Sequence, residues 1–311
     1  MGNCPITLEP VERAALFSPQ GLHRLDPRLQ GLEALNLSHE EQLRQARLRA
    51  DKMSVQGAQP KLSAILRVKA GQFEIVDSGG TYLLKPNPPP FEEVPANEAL
   101  TMTMAAECGI DVPAHGLLPA IDGSWIYFIR RFDREGRGRR LHVEDFAQLS
   151  GATRETKYES SLERVAQLVE TFCTFPALER PKLAKRLLFA FLTGNEDMHL
   201  KNFSVCLRDG VVMLSPAYDL LNTTLVLENA REESALPLMG KKRKLTRAAW
   251  IDYFCRERLS LNARQVDALL GDLLAAIPAW HGLIGRSFLS LARRMAYREL
   301  LDARCRRLFT G

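Results

Sequence analysis

What this 311-residue sequence lacks narrows its class before anything it contains. Its six cysteines (Cys4, Cys108, Cys173, Cys206, Cys255 and Cys305) lie far apart, and no two form a C-x-x-C pair. Such spacing suits neither a zinc site nor a disulfide framework, and it points to a reducing, cytoplasmic setting. No basic run followed by an apolar segment opens the chain, so no signal peptide is expected. The position that a myristoylation signal needs as Ser or Thr holds Ile6. No uninterrupted apolar run reads as long enough to span a bilayer, and no membrane partner is expected. Internal repeats are missing, and so is any G-x-G-x-x-G or Walker glycine signature. A strong excess of one charge is missing too: the net +5 is compatible with anionic partners and identifies none.

What is present suits a globular protein with a substantial core, at 46% hydrophobic and 25% charged. Ser38-His39-Glu40-Glu41 reads as a capping box that opens a helix to about Ala50. KLSAILRV, QFEIV and TYLLK, over 61–85, read as strands separated by turns at Gly71 and Ser78-Gly79-Gly80. KPNPPP excludes helix. Residues 96–108 then read as helix closed by Gly109, and SWIYFIRRF as a further strand. Beyond it, apolar periodicity predicts helices over 161–175, 181–193, 262–277 and 284–308. FSVCL and VVMLS, joined by Arg208-Asp209-Gly210, predict a hairpin. The fold class expected is therefore α/β, with a strand-rich lobe over 1–132 and a mainly helical lobe over 133–311.

The densest polar cluster, Gly194-Asn195-Glu196-Asp197-Met198-His199-Leu200-Lys201-Asn202, sits between an apolar helix and that hairpin. Asp197 and Asn202 have the separation of kinase catalytic loops, in which the Asp orients an acceptor hydroxyl and the Asn holds magnesium. The hairpin returns the chain beside this loop, which brings Asp219 back as a second oxygen ligand. Magnesium suits such a pair, because it keeps its other positions for water and phosphate. The plain alternative is that Asp and Asn fill turns for their backbone hydrogen bonds. Lys85 ends a strand where a cation could reach nucleotide phosphates, with Glu98 in the first turn of the next helix as its partner. The alternative there is a snorkelling surface lysine and a glutamate placed by the helix dipole. Ser54, Val55, Gln56, Gly57 and Ala58 could lay backbone N–H groups over phosphates, or form a simple loop. His199 reads as an imidazole bracing the loop, since no second His stands at ligand spacing. The basic run Lys241-Lys242-Arg243-Lys244 reads as a solvated loop.

In order along the chain, these segments resemble the HipA kinase family. SVQGAQPK resembles its phosphate-binding loop, TYLLKP its nucleotide-lysine strand, and ANEALTMTMAAECGIDVP its first-lobe helix and following turn. IRRFDR looks like the hinge, EDFAQ and TKYES like the segment after it. GNEDMHLKNFSV resembles the catalytic loop and LSPAYDLL the metal-binding segment. The resemblance implies a bilobal protein-kinase-like fold using ATP and Mg2+. It implies Lys85 on the phosphates, Asp197 as catalytic base, Asn202 and Asp219 as metal ligands, and the backbone around Arg131 and Phe132 on the adenine. Ser54 matches the serine that family members autophosphorylate, which would shut off nucleotide binding by charge repulsion. The opening NCPITLEP is similar to the short HipT toxins, and Gln56 stands where some of them carry a second serine. By the same resemblance the substrate is an aminoacyl-tRNA synthetase. The partners are a HipB-like helix-turn-helix antitoxin and a small HipS-like companion, with DNA reached only through the antitoxin. Two other readings compete: a phosphoinositide-like lipid or small-molecule kinase, and a non-catalytic kinase-fold subunit of a repressor complex.

Overall fold

The computed structural model describes residues 2–12, 15–49, 59–136, 139–153, 155–227 and 230–310. The chain divides into two compact units. One comprises Met1–Thr103, Pro113–Arg139 and Gly282–Ser290; the other comprises Met104–Val112, Arg140–His281 and Leu291–Gly311.

In the first unit, β1 (Gly2–Asn3) pairs with β2 (Pro10–Val11) as a short ribbon. α1 (Pro19–Leu25) starts where Ser18 accepts from the Gly21 N–H at 3.0 Å, a cap that satisfies a donor the helix cannot. α2 (His39–Arg49) starts the same way, with the Ser38 hydroxyl accepting from Glu41 N–H at 3.3 Å. β3 (Leu62–Arg67), β4 (Gln72–Ile75), β5 (Tyr82–Lys85), α3 (Val94–Glu107), β6 (His115–Pro119) and β7 (Trp125–Arg130) follow. The five strands form one antiparallel sheet in the order β4-β3-β5-β7-β6. Four of them are legible as strands in the sequence; β6 is not. Its HGLLP run is almost wholly buried, so it lacks alternation, and Pro119 is tolerated because β6 lies at the sheet edge.

The core of this unit packs Leu62, Ala64, Leu84, Ile126 and Phe128 of the sheet with Ile6, Leu22 and Leu29. Phe73, Tyr82 and Phe128 stack in tilted and edge-on pairs 5.0 to 6.3 Å apart. Burying each such ring contributes about 1.5–3 kcal/mol, and together they hold β5 in register. The turn before β5 favours Gly80, because a Cβ there would stand 2.0 Å from Ser63 Oγ and 3.0 Å from the Ala64 backbone nitrogen.

β8 (Arg134–Glu135) and β9 (Arg139–Arg140) make a second ribbon. The other unit then holds β10 (His142–Asp145), α4 (Phe146–Leu149), α5 (Leu162–Phe172), α6 (Pro176–Leu192), β11 (Ser204–Arg208) and β12 (Val211–Leu214). α5 stops three residues short of the periodic pattern, because Cys173 turns extended at ψ 140°. α6 begins with Pro176 in its first turn rather than at Pro181, which lies inside the helix. β11 and β12 form the expected hairpin, whose turn residues Asp209 and Gly210 are both left-handed at φ 49° and 80°. β10, too polar to signal a strand, pairs antiparallel with the other side of β11.

Residues Ala249–Arg258 wind as a π-helix without a side-chain cap, and then come α7 (Ala263–Arg286) and α8 (Leu291–Phe309). Against the sequence expectation, α7 is long and apolar enough to cross a membrane by length and composition alone. Its burial is one-sided, however. Val266, Leu269, Leu273, Ala276, Trp280 and Leu283 are buried at helical spacing while Leu274 is exposed, the stripe of an amphipathic core helix.

Candidate functional site

α6 delivers the polar cluster. Its buried Leu187, Leu188, Phe189, Phe191 and Leu192 anchor the helix, and the chain leaves it at Gly194. That residue has φ +72°, and a Cβ there would meet Asn222 Oδ1 and Leu300 Cδ2, each at 2.9 Å. Only glycine fits. The Gly194 carbonyl accepts from the Thr224 N–H at 3.1 Å and from the Thr223 and Thr224 hydroxyls at 3.2 and 3.0 Å.

Beyond Gly194 the loop closes on itself. Asn195 Oδ1 accepts from the Asp197 N–H at 3.0 Å. The Asp197 carbonyl accepts twice, from Asn202 Nδ2 at 2.7 Å and from the His199 N–H at 2.8 Å. With the Asp197 backbone tied at both ends, its side chain can be aimed without cost at each encounter. The neighbouring Glu196 is turned to structural use: its carboxylate accepts from the Thr224 hydroxyl at 2.8 Å and the Glu232 N–H at 3.1 Å. Burial raises its pKa above the ordinary glutamate value.

The Asp197 carboxylate itself is 44% exposed, and its Oδ1 accepts from the Tyr158 hydroxyl at 2.5 Å. Burial and that bond push the Tyr158 phenol up, so it stays protonated. His199 is buried. Its Nε2 accepts from Lys157 Nζ at 2.6 Å and stands 3.9 Å from Asp197 Oδ1, and its ring meets Tyr158 edge-on at 5.0 Å. Burial holds the His199 pKa down; Asp197 pulls it up, Lys157 pushes it down, and Asp219 pulls it up. An ammonium can only donate, so Nε2 is the acceptor in this contact.

Asp219, at φ +54°, follows β12 on a segment fastened beside the loop. Tyr218 donates to the Lys201 carbonyl at 2.9 Å and also bonds the Ser204 hydroxyl. The Ser215 N–H donates to the Ser204 carbonyl at 2.9 Å, while the Ser215 carbonyl accepts from buried Arg186 of α6 at 2.7 Å. Asp197, Asn202, His199 and Asp219 thus share one neighbourhood of this unit. Among the described residues no three His, Cys, Asp or Glu side chains group as a metal cage. One amide and one carboxylate oxygen still fit a magnesium ion, which retains water and phosphate oxygens as its other ligands.

In the first unit, Lys85 is buried, not snorkelling. Its Nζ donates to Glu98 Oε1 at 2.6 Å, with the two side chains 5% and 1% exposed, and it lies 5.5 Å from the centre of the Tyr127 ring. α3 starts at Val94, so Glu98 sits in its second turn instead of its first. The Arg131 N–H donates to the Thr81 carbonyl at 2.8 Å and its guanidinium binds Asp133; Phe132 follows it, partly buried. Arg130 is a brace, bonding the Tyr82 hydroxyl at 2.8 and 3.0 Å. Ser54, Val55, Gln56, Gly57 and Ala58 lie outside the described residues.

Lys157 and Tyr158 are the site residues that the sequence reading leaves without a role. They stand 42 and 39 positions from the groups they contact, and no local pattern reports so distant a pairing.

The sequence profile of the HipA-like C-terminal domain family matches residues 53–281. A protein of Haemophilus influenzae, provisionally named a kinase, is 30% identical over 261 residues, covering 78% of this chain and 75% of that protein. The serine/threonine-protein kinase toxin HipA of Shewanella oneidensis is 27% identical over 199 residues, 56% of this chain but only 44% of that toxin. The structure of the Shewanella oneidensis MR-1 HipA, HipB and operator DNA complex superposes at a TM-score of 0.68 and 25% identity, covering 83% of this chain and 65% of the other. The fold is therefore kinase-like. On a profile match that takes in most of its length, the chain belongs to the HipA-like C-terminal domain family of kinases.

Proposed function

We propose that this chain is an ATP- and magnesium-dependent serine/threonine protein kinase acting as the toxin of a HipBST-like toxin–antitoxin system. The observation that carries the reading is Asp197: a half-exposed carboxylate whose backbone is tied at both ends, beside Asn202 and the Asp219 segment. In this reading residues 1–132 serve the nucleotide, with Lys85, held by Glu98, on its phosphates. The backbone near Arg131 and Phe132 meets the adenine. Since the Arg131 N–H already donates to Thr81, other backbone groups of that segment make the contact. Residues 133–311 serve the transfer.

The acceptor hydroxyl donates to Asp197, which orients it and takes its proton. The γ-phosphorus bond to the acceptor oxygen forms as the bond to the ADP oxygen breaks. Asn202 and Asp219 would hold the magnesium, which supplies charge neutralisation to the phosphates. The protein's contribution is positioning in a loop that needs no rearrangement. His199, buried against Lys157 and Tyr158, keeps the loop's floor in place.

The family and the HipA relative support the toxin reading, and the pairing of Shewanella HipA with HipB and operator DNA supports a helix-turn-helix antitoxin as partner here. By the same family reading the substrate is an aminoacyl-tRNA synthetase, a small HipS-like protein is a further partner, and Ser54 is the autophosphorylation site. Thermal denaturation with ADP, with and without magnesium, tests the site. Ligand at 100 times its dissociation constant adds about 2.7 kcal/mol. Asp219→Ala should remove the magnesium-dependent part of that gain; a wild type indifferent to nucleotide would favour the non-catalytic alternative.

A further inference from the structure

Lys157 is anchored to the loop twice. Its carbonyl accepts from the Leu200 N–H at 3.3 Å, and its Nζ donates to His199 Nε2 at 2.6 Å. His199 Nε2 in turn stands 3.9 Å from Asp197 Oδ1. Those two contacts meet at one nitrogen, so the ammonium group lies no farther than about 6.5 Å from the carboxylate that would take the acceptor's proton. The Lys157 Nζ also stands over the ring of Tyr158, 4.8 Å from its centre, and Tyr158 bonds Asp197 itself. One two-residue segment therefore grips both the histidine and the aspartate of the loop.

A cation in that place matters because of the charges around it. Asp197 and Asp219 both act on His199, so the neighbourhood is acidic before any nucleotide arrives. Magnesium on Asn202 and Asp219 would offset part of that charge, and a fixed cation on the Asp197 side would face the phosphoryl group in flight. Cationic side chains that clamp a transferring phosphoryl group act most strongly when preorganised. A lysine has a flexible four-carbon stem, and its two anchors here remove the freedom it would otherwise lose on binding.

Resting on the kinase reading above, we propose that Lys157, steadied by His199, binds the γ-phosphoryl group of ATP and stabilises it during transfer. Lys157 then belongs with Asp197 as a catalytic residue, and His199 is its positioning residue. The expectation is specific to the third phosphate: an ADP complex gains nothing from this ammonium.

The test uses the full chain with magnesium, titrated calorimetrically with ADP and with the non-hydrolysable ATP analogue adenylyl imidodiphosphate. Lys157→Ala should weaken the analogue by about tenfold or more, the worth of a charged hydrogen bond, and leave ADP within about twofold. Lys157→Arg, which keeps the charge, should recover most of the loss. Unchanged analogue binding in Lys157→Ala, or an equal loss for both ligands, overturns the inference and leaves the kinase reading standing. Wild-type protein that binds neither nucleotide overturns both. ADP binding by the variant doubles as proof that it folds.

Discussion

At the scale of single residues, burial sets how much a charged group depends on its partner. Lys85 and Glu98 form an ion pair with almost no exposure. Removing one partner of such a pair costs about 3–5 kcal/mol, while replacing both with apolar groups is often neutral. Glu98→Ala should therefore lower the free energy of unfolding in urea by about that amount. The double variant Lys85→Met with Glu98→Leu should recover stability but not nucleotide binding; if it binds nucleotide normally, Lys85 has no part in the site. His115 shows the purely structural case. Burial pushes its pKa down to about 4 from 6.5, and it bonds the Pro113 carbonyl at 2.8 Å. Between pH 6.5 and 4 the unfolded chain takes up a proton that the folded chain refuses, so stability falls with pH across that window. The loss approaches roughly 3 kcal/mol at its acid end. His115→Gln should flatten this part of the stability–pH curve, and an unchanged slope would refute the cause given.

At the scale of elements, the turn from α6 into the loop is the joint on which the site depends. Gly194 is both left-handed and crowded, whereas Gly210 of the hairpin is left-handed with open space where its Cβ would be. Gly194→Ala should cost roughly 2 kcal/mol or more from strain and crowding together, and Gly210→Ala about 1–2 kcal/mol from strain alone. Phosphoryl transfer should fall for the first and hold for the second; equal activities would mean the loop tolerates displacement at Gly194.

The same elements show what a sequence can disclose. The hairpin was legible because Asp209-Gly210 supplies two left-handed residues between β-prone runs, and with it the return of Asp219 toward the loop. β6 and β10 were not, since one is buried on both faces and the other is polar. The π-helix at Ala249–Arg258 carries no cap to announce it. Lys157 and Tyr158 escaped because their role exists only after distant segments pack, and Glu196, as acidic as Asp197 in the sequence, is separated from it only by Thr224 and Glu232. Apolar runs also misled in one place: the stretches of α7 read as too short to span a bilayer, yet the assembled helix is long enough, and only its one-sided burial shows it to be a core helix.

At the scale of the whole molecule, two compact units divide the chemistry that the family reading assigns. The buried Lys85–Glu98 pair belongs to one; the loop, its brace from Lys157 and Tyr158, and Asp219 belong to the other. The chain spans three quarters of the Haemophilus relative and less than half of Shewanella HipA. Its activity is therefore best established on the chain itself, by following protein phosphorylation in cells that briefly express wild type beside Asp197→Ala. The account expects a dominant new phosphoserine or phosphothreonine, on an aminoacyl-tRNA synthetase, present with wild type and missing with the variant. A wild-type pattern indistinguishable from that of Asp197→Ala would contradict it.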